Sequence, residues 1–550
     1  MAQSTEYPVV VDPTPQPEPS GSVGPEPPVD PVPEPGPTPD EPTREPTDTP
    51  TDAPPESPGD GEVPLEEPEV VPDDSETGVR PATPPAITTA DTSWLSVALA
   101  LGALAVSAVL LVVFSRPGRR AEPIAGAATA VPFGTEARQD SSATLALLVT
   151  AGEAMIDAGH PVSSVRTSLE DIAEANGWPE AEVLAFPTAL IVSLDSGRDA
   201  ETKAVSTGSS ELLLYQVEEL NNALDEARVG GVPPAASSAR LLAVRTAPPP
   251  FGLPQRLAGY LVLSIGLSVL LGASWAGVAL AAVLGVLVGL LLLGGARLGP
   301  QFAALVTVSA AFLVAVAVFL AVRSGLDPGV LPSLVAPIVV LLPGGLLTTA
   351  VIELSTGHVM AGSARLAAGA LQLVLLAFGI IAAGALVGVP VIVLDAAAQP
   401  LGAAAPWIGI ALFGAGVVIH RCARRASLGW ILLVLYVAYG AQVLGDILFG
   451  GVLSAFIGAL VMTPVAVLVA RHPTGPPTIV SFLPAFWLLV PGALGLVGVT
   501  SILDGDASGL TTLVTTIATM VAIALGVLLG LGMSGWLGLG RRGLRSRVSL

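Results

Sequence analysis

Hydrophobic and polar positions divide the chain into regimes. Residues 1–93 contain no apolar run and alternate Pro with Glu, Asp and Thr, as in Pro31-Val-Pro-Glu-Pro-Gly-Pro37. Such a segment buries too little apolar surface to offset its chain entropy, so it is expected to be disordered and extended. Trp94 to Phe114 is then an unbroken apolar run, long enough to span a bilayer. It begins far from the N-terminus with no basic region and short apolar core ahead of it, which does not predict a cleaved leader. Residues 115–140 form a linker. Residues 141–250 return to soluble periodicity: Ala143 to Ala158 and Val162 to Ala175 carry helical spacing, with Gly159-His160-Pro161 as the break and Gly177 as a stop. Val183 to Leu194 predicts a strand pair or one bent strand. Glu211 to Arg228 predicts a helix with Leu212, Tyr215, Leu220 and Leu224 as its buried stripe.

From Leu257 onward come ten apolar runs, at about 257–273, 276–293, 302–322, 332–352, 366–392, 403–419, 428–444, 447–470, 479–500 and 510–536. The predicted fold class is therefore mainly α: a polytopic helical membrane protein with a ten-helix core, one extra N-terminal span and a small α+β domain. The core divides into residues 257–395 and 403–537, followed by a basic tail at 538–550.

Charge refines this picture. The net charge of −21 is almost wholly that of residues 1–93, where 21 acidic residues face Arg44 and Arg80. Residues 257–540 hold six acids and seven arginines. Arg116, Arg119 and Arg120 follow the first span, and the positive-inside rule places them in the cytoplasm with the acidic tail outside. The tail is then a solvated spacer or an arm contacting the cell envelope. With the soluble domain cytoplasmic, Arg297, Arg365, Arg421, Arg424, Arg425, Arg471 and the arginines of the tail all fall on inner loops, and only Arg323 falls outside. Losing or adding one span would invert every later loop.

Two stretches of the membrane region resemble each other. Pro337-Ile-Val-Val-Leu-Leu-Pro343-Gly-Gly and Pro484-Ala-Phe-Trp-Leu-Leu-Val-Pro491-Gly-Ala place Pro-Gly pairs 148 residues apart, in the fourth and ninth runs. Two halves of five spans must insert in opposite orientations, which is the inverted-repeat plan of many secondary transporters. Proline inside a helix removes a backbone hydrogen bond, and such backbone is tolerated in lipid only beside protein or a water-filled cavity. Pro343, Gly344, Gly345, Thr348, Thr349, Pro491 and Gly492 are thus the candidate substrate site, against the plainer reading of a kink or a close helix crossing. An N-terminal half-helix end would attract a carboxylate, and open carbonyls and hydroxyls an ammonium group. Glu353 is the candidate proton carrier, unless it simply pairs with Arg365. Gln372, Gln442, Tyr436 and Tyr439 read as packing groups.

One cysteine, Cys422, excludes a disulfide framework and a Cys-based zinc site; no metal or other cofactor is expected. No phosphate-binding loop is present, and no basic soluble domain suggests nucleic acid. His160, Ser193 and Asp195 have no triad-like spacing, so no enzyme is expected.

Gly159-His-Pro-Val-Ser-Ser-Val165, Phe186-Pro-Thr-Ala-Leu-Ile-Val-Ser193, Gly231-Val-Pro-Pro234, Leu271-Gly-Ala-Ser-Trp275, Pro343-Gly-Gly and Gly362-Ser-Ala-Arg365 together resemble the threonine/serine exporter family (ThrE type). The resemblance covers roughly residues 141–540. It implies a ten-span exporter in the cytoplasmic membrane with a cytoplasmic N-terminal domain, moving threonine and serine outward on the proton-motive force. Related two-subunit proteins leave a dicarboxylate such as succinate open as substrate. A passive channel or an envelope-assembly protein would also fit these spans, and a homo-oligomer is left open.

Overall fold

The computed structural model describes residues 98, 100–106, 109, 140–195, 200–208, 211–388, 401–489, 491–505 and 508–536. The acidic tail, most of the 94–114 span, nearly all of the linker, the loop carrying Asp395 and the basic tail lie outside the described residues.

The soluble domain begins with helices α1 (Ser141–Asp157) and α2 (Val162–Ala175). The Asp140 carboxylate accepts from the Ser142 N–H at 3.1 Å and caps α1, and the Gly159-His160-Pro161 turn separates the two helices. Strands β1 (Glu182–Ala185), β2 (Ala189–Asp195) and β3 (Ala200–Ser206) form an antiparallel meander in which Leu184 faces Ile191 and Ile191 faces Ala204. β2 alternates, burying Leu190, Val192 and Leu194 against Leu148, Met155 and Leu169 of the helices. β3 carries no such alternation, because it is exposed along nearly its whole length; this third strand had no signal in the apolar pattern. Helices α3 (Leu214–Val229) and α4 (Pro234–Thr246) complete the layer. Leu212, Leu220 and Leu224 are buried as predicted, whereas Tyr215 is half-buried and donates its hydroxyl to the Ala247 carbonyl at 2.5 Å.

The remaining helices are apolar. Among the described residues seven of them are long enough to cross a membrane alone, the stretch Thr478–Leu503 makes an eighth span, and the count reaches nine if one bent pair is a single span. In order they are α5 (Leu253–Leu270), α6 (Trp275–Gly295), α7 (Ala303–Arg323), the bent pair α8 (Val330–Ile338) and α9 (Gly344–Ser355), and α10 (Val359–Val387). Then come α11 (Ala405–His420), α12 (Leu428–Phe449), α13 (Gly451–Arg471), α14 (Thr478–Leu489), α15 (Pro491–Leu503) and α16 (Ser508–Trp536). α11 is apolar but only 16 residues long.

Packing partners recur between α5–α10 and α11–α16. α7 packs on α10 as α13 packs on α16; α9 lies on α10 as α15 lies on α16; α6 meets α8 as α12 meets α14. α10 touches α15, and α16 touches α9. The most extensive contact joins α5 to α11, through glycines. A Cβ on Gly259 would sit 2.7 Å from the His420 nitrogen, and one on Gly409 would sit 2.7 Å from the Gly266 carbonyl. Cβ atoms on Gly266 and Gly416 would run into the backbones of Phe413 and Leu263. Helix association in lipid depends on such close backbone approach, because burying apolar side chains gains little there. Near the N-terminus, residues 100–106 are helical, and Ala100 and Leu104 lie against Gly440 of α12.

Candidate transport cavity

The two Pro-Gly pairs meet, the first of them at a sharp bend. α8 ends in a 3-10 turn, Val339–Leu341, and the chain bends by 62° before α9 starts at Gly344. A Cβ on Gly492 would lie 3.1 Å from both the Gly344 nitrogen and the Leu342 Cβ, so the start of α15 is seated on the start of α9. Beside them is a cavity of about 360 Å3, at the small end of ligand-binding sizes. Pro343, Gly345 and Thr349 line it. Gly344 is buried at the crossing, and Gly345 has room, since its Cβ would come no closer than 4.0 Å to Phe486. Thr348 is fully buried and donates to the Gly344 carbonyl at 2.8 Å, turned into its own helix. Pro491 is the first residue of α15.

A proline inside a helix and a bend leave helix carbonyls short of N–H donors. The structure answers two of them with side chains: Tyr260 donates to the Pro337 carbonyl at 2.7 Å, and Gln372, which also lines the cavity, donates to the Leu341 carbonyl at 2.8 Å. Gln372 is thus both packing group and cavity wall.

The soluble domain supplies the other wall. Asp157, Gly159, Pro161, Glu211 and Leu214 line the same cavity as the broken helix. Side chains from the helix ends hold it there. Arg365 of α10 pairs with Glu353 of α9 at 3.0 Å and donates to the His160 carbonyl at 3.1 Å, while Glu353 accepts the Val162 N–H at 3.1 Å. Both side chains are almost completely buried. Glu353 therefore stands in the pairing with Arg365, at the N-terminus of α2. Arg421, just after α11, forms a two-pronged pair with Glu211, both contacts 2.9 Å. The Leu214 and Tyr215 N–H groups donate to the Arg421 and Cys422 carbonyls, and Glu218 meets Ser427 and Arg424. Arg365, Arg421 and Arg424, grouped on one side by the charge pattern, all contact the soluble domain. Glu211 and Arg421 went unrecognised as cavity residues in the sequence, since nothing in their spacing relates them. The Arg421 guanidinium holds the Glu211 carboxyl below the usual carboxylate range.

His160 is fully buried, and neither ring nitrogen has a hydrogen-bond partner. Burial first, then the charges of Arg228 and Arg365, lower its pKa to about 4. The unfolded chain therefore binds the proton more readily, so stability is complete above about pH 6.5 and falls as pH drops toward 4. Between pH 7 and 5 the loss should be about 2 kcal/mol, and His160→Phe should flatten it. Thermal unfolding of both proteins at the two pH values measures this; equal slopes would refute it. Ser193 bonds Thr202 across the sheet at 2.9 Å and has no hydrogen bond to His160. Among the described residues no group of three or more His, Cys, Asp or Glu is placed to hold a metal ion.

A small cavity at a broken membrane helix, closed on one side by a soluble domain, is the arrangement of a membrane transport protein. Residues 146–387 match the family model described as "putative threonine/serine exporter", ThrE, and that part of the chain is a domain of this transporter family. The match runs from α1 to the end of α10, a shorter span than the 141–540 of the sequence resemblance. No curated protein and no solved structure matches the chain.

Proposed function

We infer that the chain is a secondary exporter of small zwitterionic amino acids of the threonine and serine type, working across the cytoplasmic membrane with its soluble domain inside. The observation that carries this is the charge balance of the cavity. Arg365 and Arg421 face Asp157 and Glu211 there, and the remaining lining is largely apolar, with Gln372 and Thr349 as neutral polar groups. A balanced site suits a ligand with one charge of each sign. A dicarboxylate would need an excess of cations, because unpaired buried charge is expensive.

Alternating access would use ten spans in two inverted halves, α5–α10 and α11–α16, with α8–α9 and α14–α15 as the matched members that carry the Pro-Gly pairs. The recurring packing partners support this, as does the glycine pattern. Gly259 and Gly266 precede Gly409 and Gly416 by 150 residues, and Gly379 meets the Val308 carbonyl of α7 as Gly526 meets the Phe456 carbonyl of α13. Glu353 is the proposed proton carrier: neutralising it would weaken its hold on Arg365 and on the Val162 N–H, loosening the soluble domain over the cavity. The acidic tail is proposed as an external spacer or envelope-contacting arm.

Efflux of threonine from dipeptide-loaded cells tests this. Export should collapse with an uncoupler and be competed by serine but not by succinate. Efflux indifferent to the uncoupler would remove proton coupling, and competition by succinate alone would replace the substrate class. Gly492→Leu should abolish efflux with membrane insertion intact, whereas Gly345→Ala, which has space, should retain most of it. Normal export by Gly492→Leu would remove the breaks from the site.

A further inference from the structure

We propose that the substrate binds by replacing the Arg421–Glu211 ion pair: its carboxylate takes the Arg421 guanidinium and its ammonium group takes Glu211. This rests on the exporter reading and assigns its binding groups.

The other charged groups around the cavity are committed. Arg365 holds Glu353 and the His160 carbonyl; Asp157 holds Arg245 at 2.6 Å and the Gly208 N–H at 3.1 Å. The carbonyls freed at the break, the obvious acceptors for an ammonium group, already receive Tyr260 and Gln372. Arg421 and Glu211 pair chiefly with each other, so opening that one pair presents a cation and an anion to the cavity together.

The two partners are unequal in a way that suits exchange. Arg421 is a fixed cation: its side chain is 9% exposed, and its Nε is buried without a partner, leaving donor capacity that the fork with Glu211 does not use. Glu211 keeps 74% of its side-chain surface accessible and precedes the first turn of α3 in a non-helical stretch, so it can turn from the guanidinium to a ligand. A zwitterion inserted between them turns one ion pair into two and leaves no charge unmatched. A dicarboxylate would release Glu211 beside a second carboxylate, with no cation for it. Glu211 belongs to the soluble domain and Arg421 to the end of a membrane helix. Occupancy therefore removes one of the links holding the domain over the cavity.

The test uses the purified full-length protein in detergent and calorimetric titration with L-threonine, threonine amide, N-acetylthreonine and succinate. The amide lacks the carboxylate, and the acetyl compound lacks the ammonium group. Glu211→Gln should weaken threonine binding roughly 10- to 100-fold, as expected for loss of one charge-assisted contact, and should not weaken N-acetylthreonine, which must displace Glu211 from Arg421 without replacing its cation. Arg421→Lys, which keeps the charge and loses the fork, should weaken threonine and should not weaken the amide. Glu211 is accessible and a glutamine there still accepts a hydrogen bond from Arg421, so that variant decides the matter even if Arg421→Lys folds poorly. Wild-type affinity for threonine in Glu211→Gln overturns the exchange while the exporter reading stands. A wild-type protein that binds succinate, or no amino acid, overturns both.

Discussion

Gly266→Ala is expected to leave little folded protein, although it adds a single methyl group. At this point α5 and α11 touch backbone to backbone: the new Cβ would collide with the Phe413 nitrogen and lie 2.7 Å from the Gly409 carbonyl and 2.8 Å from Leu412. Overpacking against side chains costs about 1–3 kcal/mol, because rotamers can give way. Backbone atoms of a helix cannot, so the helices must part, and the most extensive contact between α5–α10 and α11–α16 goes with them. Gly294→Ala is the control, since a Cβ there meets nothing within 4 Å. Thermal unfolding with size-exclusion chromatography in detergent reads the difference. A wild-type melting temperature for Gly266→Ala would mean that the helices do not cross there.

Arg365→Met should come next in severity. It leaves the Glu353 carboxylate buried with the Val162 N–H as its remaining partner and takes the donor from the His160 carbonyl. Removing one member of a buried ion pair typically loses about 3–5 kcal/mol, chiefly through the stranded charge. The loss should loosen the soluble domain, because Val162 begins α2 and His160 lies in the turn before it. Replacing both residues with Met should recover part of the stability, since no buried charge then remains. A single variant as stable as wild type would show that the pair does not hold the domain in place.

Both predictions rest on contacts that were legible in the sequence only in part. Gly266 and Gly416 read as two glycines among many in apolar runs. Pairing between Glu353 and Arg365 was open to sequence reasoning, because twelve residues and one turn separate them. Its further contacts to His160 and Val162 were not, since the Val162 N–H lies 191 positions from the carboxylate. Thr348 and Thr349 were equivalent in the sequence, adjacent and one turn past the break. Helix rotation separates them, turning the first into its own backbone and placing the second on the cavity.

By itself, the sequence determined where most of the apolar helices lie, which segment is soluble and where one membrane helix is interrupted. These follow from local requirements: a span needs a continuous run of apolar residues, and a mid-helix proline removes its hydrogen bond whatever surrounds it. The tertiary structure alone decided that the two Pro-Gly pairs abut, that the soluble domain closes the cavity beside them, and that Glu211 meets Arg421 across 210 positions. Such pairings depend on how helices cross and which ends face the soluble domain, and neither charge nor periodicity along the chain encodes a partner at that distance.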